Sequence, residues 1–385
     1  MASGATVAAA ATVSCALDSG GQAYCWGSNG VSGGAFGNPA VTGDTTLPVA
    51  VATGRRYAAV FLGNSTTLGA VTACALTADG AADCWGGDAG NYLGPADAMP
   101  CGTSPCIRSP RPLTTSLRFR RLAVGTGYVC GIASDDVTYC WGTGPLGQLG
   151  NGTASSQAVI TPTPVSGGVP FADLTASASV ACGVTAQGAA YCWGDDASDE
   201  LGAAPTTAGS GMSSTPVRVN TTPFRQLSAA DRAVCGVTQA GGGACWGWGA
   251  YWTLGAAANP AWFRNANVAA PEALALPSDV RLVTFGGAHA CGLLASGAAV
   301  CWGWNPYNQV GTTGRAGCSG AGQQAVCAPA PEAAGLAFAE LHAGALHTCG
   351  RTTDGGVYCW GNNTWGQVGT ADRSPQAAPV RVTLP

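Results

Sequence analysis

From Val71 to Trp85 the chain alternates: Val71, Ala73 and Ala75 fall on one side of an extended backbone and Thr72, Cys74 and Leu76 on the other. A period of two is the signature of a β-strand. The same grammar returns along the whole chain. A strand of small residues runs into a cysteine, a short turn follows, and a second cysteine is closed by Trp-Gly. A Gly-rich turn, a loop and a Pro-initiated strand complete the unit. No stretch reads as a long helix.

The cysteines set the frame. Cys15 and Cys25, Cys74 and Cys84, Cys130 and Cys140, Cys182 and Cys192, Cys235 and Cys245, Cys291 and Cys301, and Cys349 and Cys359 each stand ten positions apart, with successive units 52 to 59 residues on. A period of that size means a repeat architecture whose units cannot stand alone. Midway between the cysteines lies Gly21, Gly80, Gly188, Gly241, Gly297 or Gly355, and in one unit Asp136. Gly and Asp tolerate positive φ, which predicts a hairpin tip and sets the two cysteines opposite each other on antiparallel strands. That spacing suits a disulfide. Zinc is the competing reading, but zinc knuckles favour two to four residues between paired cysteines, and here there are nine. Four short strands per unit of this size match a propeller blade. The expectation is an all-β, seven-bladed β-propeller with one disulfide per blade hairpin. Its repeat cores lie near 15–37, 74–94, 130–150, 182–202, 235–255, 291–311 and 349–369 of a single domain covering 1–385. Pro379-Val380-Arg381-Val382 matches Pro216-Val217-Arg218-Val219, which leads toward the next unit. The two chain ends are therefore expected to pair in one sheet and seal the ring.

One unit carries a more specific pattern: His347-Thr348-Cys349, Gly355, Val357-Tyr358, Trp360-Gly361, Asn363 and Gly366-Gln367-Val368-Gly369. It resembles the repeat of the regulator of chromosome condensation family of seven-bladed propellers. Gly147-Gln148-Leu149-Gly150 repeats its tail, and a glycine ends the turn nine positions after six of the seven repeat tryptophans. Unit one differs, with Phe36-Gly37 displaced by two residues. The hairpin cysteines depart from the intracellular members and point to a secreted, disulfide-rich variant of bacterial type. The resemblance implies that His289 and His347, two positions before their cysteines, belong to the repeat's structure.

Composition changes the picture in two ways. Charged residues are only 9% of the chain, the net charge is −4, and all 16 basic residues are arginine, so no broad electrostatic footprint for nucleic acid exists. The 18 cysteines are even in number and paired by spacing, which points to an oxidising compartment, secreted, extracellular or periplasmic. MASGATVAAAATVSC lacks the features of a signal peptide, so a removed leader and an added Met1 are expected. No run has the length of a membrane span.

Chemistry is sparse. No Gly-x-Ser-x-Gly elbow or His-Glu-x-x-His helix occurs, so no catalytic residue, cofactor or metal is expected. Asp195, Asp196, Asp199 and Glu200 form the one acidic cluster, a pattern open to Ca²⁺ or to simple turn formation. Arg108, Arg111, Arg118, Arg120 and Arg121 form the one basic run, read as a solvated strand. Two loops carry further expected staples, Cys101 with Cys106 and Cys318 with Cys327, leaving their units at the same position.

Seven of the 12 tryptophans occupy the Cys-Trp-Gly position and read as blade packing. The other five, Trp248, Trp252, Trp262, Trp304 and Trp365, all fall in units five to seven. With Tyr251, Phe263 and Tyr307 they mark a candidate binding surface, because aromatics combine a large apolar face with a polar tip. The resembled family includes nucleotide exchange factors that bind chromatin, a plant ultraviolet-B photoreceptor and secreted bacterial β-lactamase inhibitors. Of these modes, the secreted binder fits an oxidised, nearly uncharged ring. The expected function is non-catalytic recognition of an extracellular protein or glycan through rim loops. The alternatives are a structural subunit of a surface assembly and an enzyme with its site in the central channel.

Overall fold

The computed structural model describes residues 5–29, 34–63, 71–88, 90–94, 105–203, 211–248, 267–274, 276–311, 318–319, 326–331 and 335–385. These residues form seven antiparallel sheets arranged as the blades of a propeller, with no helix among them. Blade 1 runs outward through Val7–Ala10, Val13–Leu17, Ala23–Gly27 and Thr45–Ala50. Blades 2 to 7 begin at Ala59–Leu62, Phe119–Val124, Phe171–Ala176, Phe224–Ala229, Val280–Phe285 and Phe338–Ala343. In every blade the strands follow in chain order, and blade 6 adds Cys318–Ser319 outside its fourth strand.

The hairpins are as expected. Each cysteine pair sits in direct register across its two middle strands. The disulfides join Cys15 to Cys25, Cys74 to Cys84, Cys130 to Cys140 and Cys182 to Cys192 in blades 1 to 4. In blades 5 to 7 they join Cys235 to Cys245, Cys291 to Cys301 and Cys349 to Cys359. In all seven the Cα atoms are 4.0 or 4.1 Å apart. The tip residues adopt positive φ, from 65° at Asp136 to 93° at Gly241. Cys106 and Cys327 are also disulfide-bonded. Cys101, the side chain of Cys318 and most of both stapled loops lie outside the described residues, although the backbone sets Cys318 opposite Cys327.

The alternation that marks these strands does not separate a wet face from a dry one. Blades stack face to face, so the middle strands are buried on both sides, and even Thr72 and Ser14 are enclosed. The seven repeat tryptophans are fully buried. In blades 3, 4, 5 and 7 the Phe opening the inner strand packs on its own blade's Trp, with ring centroids 5.6 to 5.8 Å apart. Four of the indoles reach across to the preceding blade, each donating from Nε1 to a rim-turn carbonyl: Trp26 to Gln367, Trp85 to Ala35, Trp193 to Gln148 and Trp246 to Glu200. Ala35 precedes the displaced Phe36-Gly37, so unit one absorbs its insertion and keeps the contact. The Gly after each Trp is sterically required: a Cβ on Gly194, at φ 111°, would lie 2.1 Å from the Ser179 carbonyl oxygen.

Closure differs from expectation. The terminal strands do not share a sheet: Gln376–Val382 is blade 7's own outer strand, with Val357 opposite Val382, and blade 1 is built entirely from residues 7–50. The repeats are in phase with the blades, because the Pro-initiated segment completes its own blade rather than opening the next. The ring is sealed by packing of blade 7 on blade 1. Val7, Ala9, Ala16 and Trp26 share an apolar cluster with Val357, Val368 and Val382. The Glu340 carboxylate accepts from Thr6 N at 2.8 Å, Thr6 Oγ1 at 3.0 Å and Val7 N at 3.3 Å. Arg351 donates to the carbonyl oxygens of Thr6 and Leu17.

Each outer strand carries a proline one position before the residue opposite the second hairpin cysteine: Pro48, Pro110, Pro162, Pro216, Pro271, Pro329 and Pro379. Where the neighbouring ladder is visible, as with Val51 N donating to Ala23 O and Val219 N to Ala190 O, the residues flanking the proline face inward. The missing N–H therefore lies on the open edge. It costs no ladder bond there and blunts strand addition from outside.

Candidate binding surface

The rim turns that follow the repeat tryptophans place side chains at two recurring positions. Two residues after the Trp come Trp248 in blade 5 and Trp304 in blade 6; five after come Tyr307 in blade 6 and Trp365 in blade 7. These four are half-buried and lie on three consecutive blades, on the rim that also carries the turn glycines. Trp304 and Tyr307 meet edge to face, centroids 6.3 Å apart. The Arg232 guanidinium lies 5.3 Å from the Trp248 ring centroid, a cation–π contact. Backbone bonds hold the platform: Trp248 N donates to Arg232 O at 2.8 Å, Trp304 N to Ala288 O at 2.9 Å, and Trp365 N to Gln367 Oε1 at 2.9 Å. Tyr251, Trp252, Trp262 and Phe263 lie outside the described residues. Arg232 was not legible as part of this surface, since its indole partner is 16 residues away, at the far end of the hairpin that Arg232 precedes.

A second concave feature is the central channel, a cavity of about 380 Å³ lined by the inner strands. Its polar groups come from two columns of the repeat, two and four residues after the opening residue of each inner strand. Arg121 Nε lies 2.7 Å from Asp173 Oδ1, an ion pair in which the N–H is not aligned for a hydrogen bond. Burial pushes the Asp173 carboxyl up, and Arg121 opposes this. Gln226 bridges to Val283 N and O, and the hydroxyls of Thr175, Ser228 and Thr284 accept from the next blade's Ala229, Phe285 and Ala343 amides. Half-buried His342 also faces the channel, and burial holds its pKa down to about 4. Glu340 is committed to the chain start and Asp173 to Arg121. The channel thus holds no free carboxylate pair among the described residues. Its side chains mainly strap neighbouring blades together.

The remaining candidates resolve into structure. His347 Nε2 and Ser14 Oγ are 2.8 Å apart across the ring closure, and His289 Nε2 and Thr348 Oγ1 2.8 Å apart between blades 6 and 7; both rings are fully buried. The arginine run is dispersed: Arg118 pairs with Asp79, Arg120 with Asp136, and Arg121 enters the channel. In the acidic cluster, Asp195, Asp196 and Glu200 accept turn amides, and no three His, Cys, Asp or Glu among the described residues converge on a metal-sized point. No helix among those residues is long and apolar enough to cross a membrane.

A family model for the Regulator of chromosome condensation (RCC1) repeat matches residues 280–309 and 341–367. The chain is 28% identical to the Ultraviolet-B receptor UVR8 of Arabidopsis thaliana over 64% of its own length and 54% of the receptor's. It is 25% identical to the mitochondrial RCC1 domain-containing protein RUG3 of the same plant, over 80% of this chain and 68% of that one. Among solved structures, Prp20p of Saccharomyces cerevisiae superposes with a TM-score of 0.81 at 18% identity, covering 96% of this chain and 87% of that one. These matches support an RCC1-type β-propeller. A seven-bladed ring whose blades are each locked by a buried disulfide is the platform on which the aromatic rim sits.

Proposed function

We propose that this RCC1-type propeller is a non-catalytic recognition protein that binds a partner protein through the rim of blades 5 to 7. The observation that carries the reading is the aromatic arc: Trp248, Trp304, Tyr307 and Trp365 recur at equivalent positions on adjacent blades, with Arg232 laid against the first. Trp, Tyr and Arg supply most of the energy of protein interfaces, and a platform held rigid beforehand lowers the ordering cost of binding. The relatives point the same way. One is named a receptor, and Prp20p of Saccharomyces cerevisiae binds Gsp1p and histones. The low charge of this chain favours a partner recognised by apolar contact over nucleic acid. Its seven described hairpin disulfides favour an oxidising location outside the cytosol.

Capture from secreted and envelope fractions by wild type and by W248A/W304A/W365A tests the site. Loss of the captured protein with an unchanged melting temperature supports it, and undiminished capture contradicts it. Stacking on sugar rings is the second reading of the same aromatics; binding to a glycan array by wild type and not by the triple variant would favour it. Self-assembly by edge-to-edge strand addition is disfavoured by the proline on each fourth strand. A species larger than a monomer in light scattering at rising concentration would reinstate it.

A further inference from the structure

The rim turns of blades 4 and 7 are built alike but with different chemistry. In blade 7, Asn363 Oδ1 accepts from Val368 N at 3.0 Å, Gln367 Oε1 accepts from Trp365 N at 2.9 Å, and Asn362 Oδ1 accepts from Thr364 N at 2.8 Å. The Gln367 amide then donates from Nε2 to Asn362 Oδ1 at 3.3 Å. Blade 6 repeats the first two contacts with Asn305 and Gln309. In blade 4 all three amides are acids. Asp196 Oδ1 accepts from Leu201 N at 3.0 Å, Glu200 Oε2 from Ser198 N at 2.7 Å, and Asp195 Oδ1 from Ala197 N at 3.2 Å. Asp199 fills the positive-φ position of Gly366, at φ 64°.

The acceptor half of the amide pattern survives in carboxylates, but the donor half does not. Glu200 is 1% exposed, and its Oε1, which stands where Gln367 carries its NH₂, is buried with no hydrogen-bond partner. An ionised oxygen there would be desolvated, undonated and close to two further carboxylates. A protonated one would present an O–H where Gln367 presents an N–H, toward the place that Asn362 holds in blade 7 and Asp195 holds here. Blade 6 supplies the control. Trp304 takes the acceptor's place, and the Gln309 Nε2 is left without a partner.

We propose that buried Glu200 holds a proton on its orphan Oε1, and that the blade-4 rim turn is a proton-operated latch, closed while the proton is held and loosened when it is lost. Burial chiefly, with Asp195 and Asp196 adding, pushes the Glu200 carboxyl up to about 7, and burial raises Asp196 as well, with Asp199 and Asp195 contributing. From blade 5, Trp246 packs against this turn and shares an apolar cluster with Leu201. No cation acts on Glu200 among the described residues. The latch has a reader, because Trp246 Nε1 donates to Glu200 O at 2.8 Å and Trp246 stands two residues before Trp248. Opening the turn withdraws the support under the first residue of the aromatic arc.

Amide hydrogen exchange of Ser198 and Leu201, corrected for intrinsic rates, tests this. Protection in the wild type is expected to fall about tenfold between pH 6 and 8, the shift that one ionisation near neutrality produces. E200Q, which installs blade 7's residue, should hold the same protection at both pH values. D195N keeps the acid but removes its neighbour's charge, and should move the step to lower pH. A flat wild-type profile, or a step that persists in E200Q, overturns the proposal. So does restoration of wild-type protection at pH 8 by millimolar Ca²⁺, which would make the turn a cation site.

Discussion

Acid should weaken the ring through two buried histidines. Ser14 has one hydroxyl proton and donates it to Gln367 O at 2.8 Å, so His347 Nε2, 2.8 Å from Ser14 Oγ, must carry the hydrogen of that contact. Thr348 likewise donates to Gln309 O at 2.9 Å and receives from His289 Nε2. Nδ1 of each ring is a bare lone pair, buried and without a partner. Protonation would create an N–H there with no acceptor, and burial holds both pKa values down to about 3, with His347 further lowering His289. In the unfolded chain a histidine titrates near 6.5, so between pH 6.5 and 3 the unfolded state binds more protons. The stabilisation is complete above about pH 6.5 and is lost progressively as pH falls through that window. At pH 4.5, two units below the unfolded value, each site costs about 3 kcal/mol and the pair roughly 5. Guanidinium unfolding with disulfides intact, followed by Trp fluorescence at pH 7.5 and 4.5, compares wild type with H289Q/H347Q. Glutamine can donate but does not titrate. Glu200 and Asp88, held up to about 7 and 6, act with the opposite sign and cancel in the comparison. The double variant should lose roughly 5 kcal/mol less than wild type between the two pH values. An equal loss would refute the assignment.

Other consequences are open to direct measurement. A Cβ on Gly183 would lie 2.5 Å from Phe171 Cδ1, so G183A should cost about 2 kcal/mol through overpacking, whereas G355A faces open space and should cost about 1 kcal/mol, from its φ of 89° alone; matched melts separate the two. C130S/C140S opens one ten-residue hairpin and should lower stability by roughly 2 to 3 kcal/mol, with the native sheet signature retained in circular dichroism. E340Q removes the charge that clamps Thr6 and Val7, and increased exchange at those two amides with little change elsewhere would show that the closure is local.

What was legible in the sequence was what is decided locally. A disulfide across ten residues and a positive-φ tip are settled within one hairpin, so the cysteines and midpoint glycines indicated blade number and hairpin register. Blade phase was not legible, because Pro379 to Val382 looks the same whether it ends one sheet or opens another. Only the register of Val357 with Val382 separates the two. The channel column of Thr6, Arg121, Asp173, Gln226 and Glu340 comes from strands roughly one repeat apart, and its members meet only when the ring closes. A signal was present nonetheless: stacking the repeats puts these residues in one column, and the same stacking sets Glu200 against Gln148, Gln309 and Gln367. The extra tryptophans were visible as an asymmetry, but Arg232 beside Trp248 was not, since a cation–π contact leaves no spacing rule.

The claim beneath all of this is that every hairpin is covalently closed, so that a ring with few charges keeps a fixed rim. Alkylation of the denatured protein followed by intact-mass analysis tests it. Without reductant no cysteine should be modified, and after reduction all 18 should be. Adducts before reduction at Cys25, Cys84, Cys140, Cys192, Cys245, Cys301 or Cys359, or at the cysteine across the hairpin from any of them, would contradict the account.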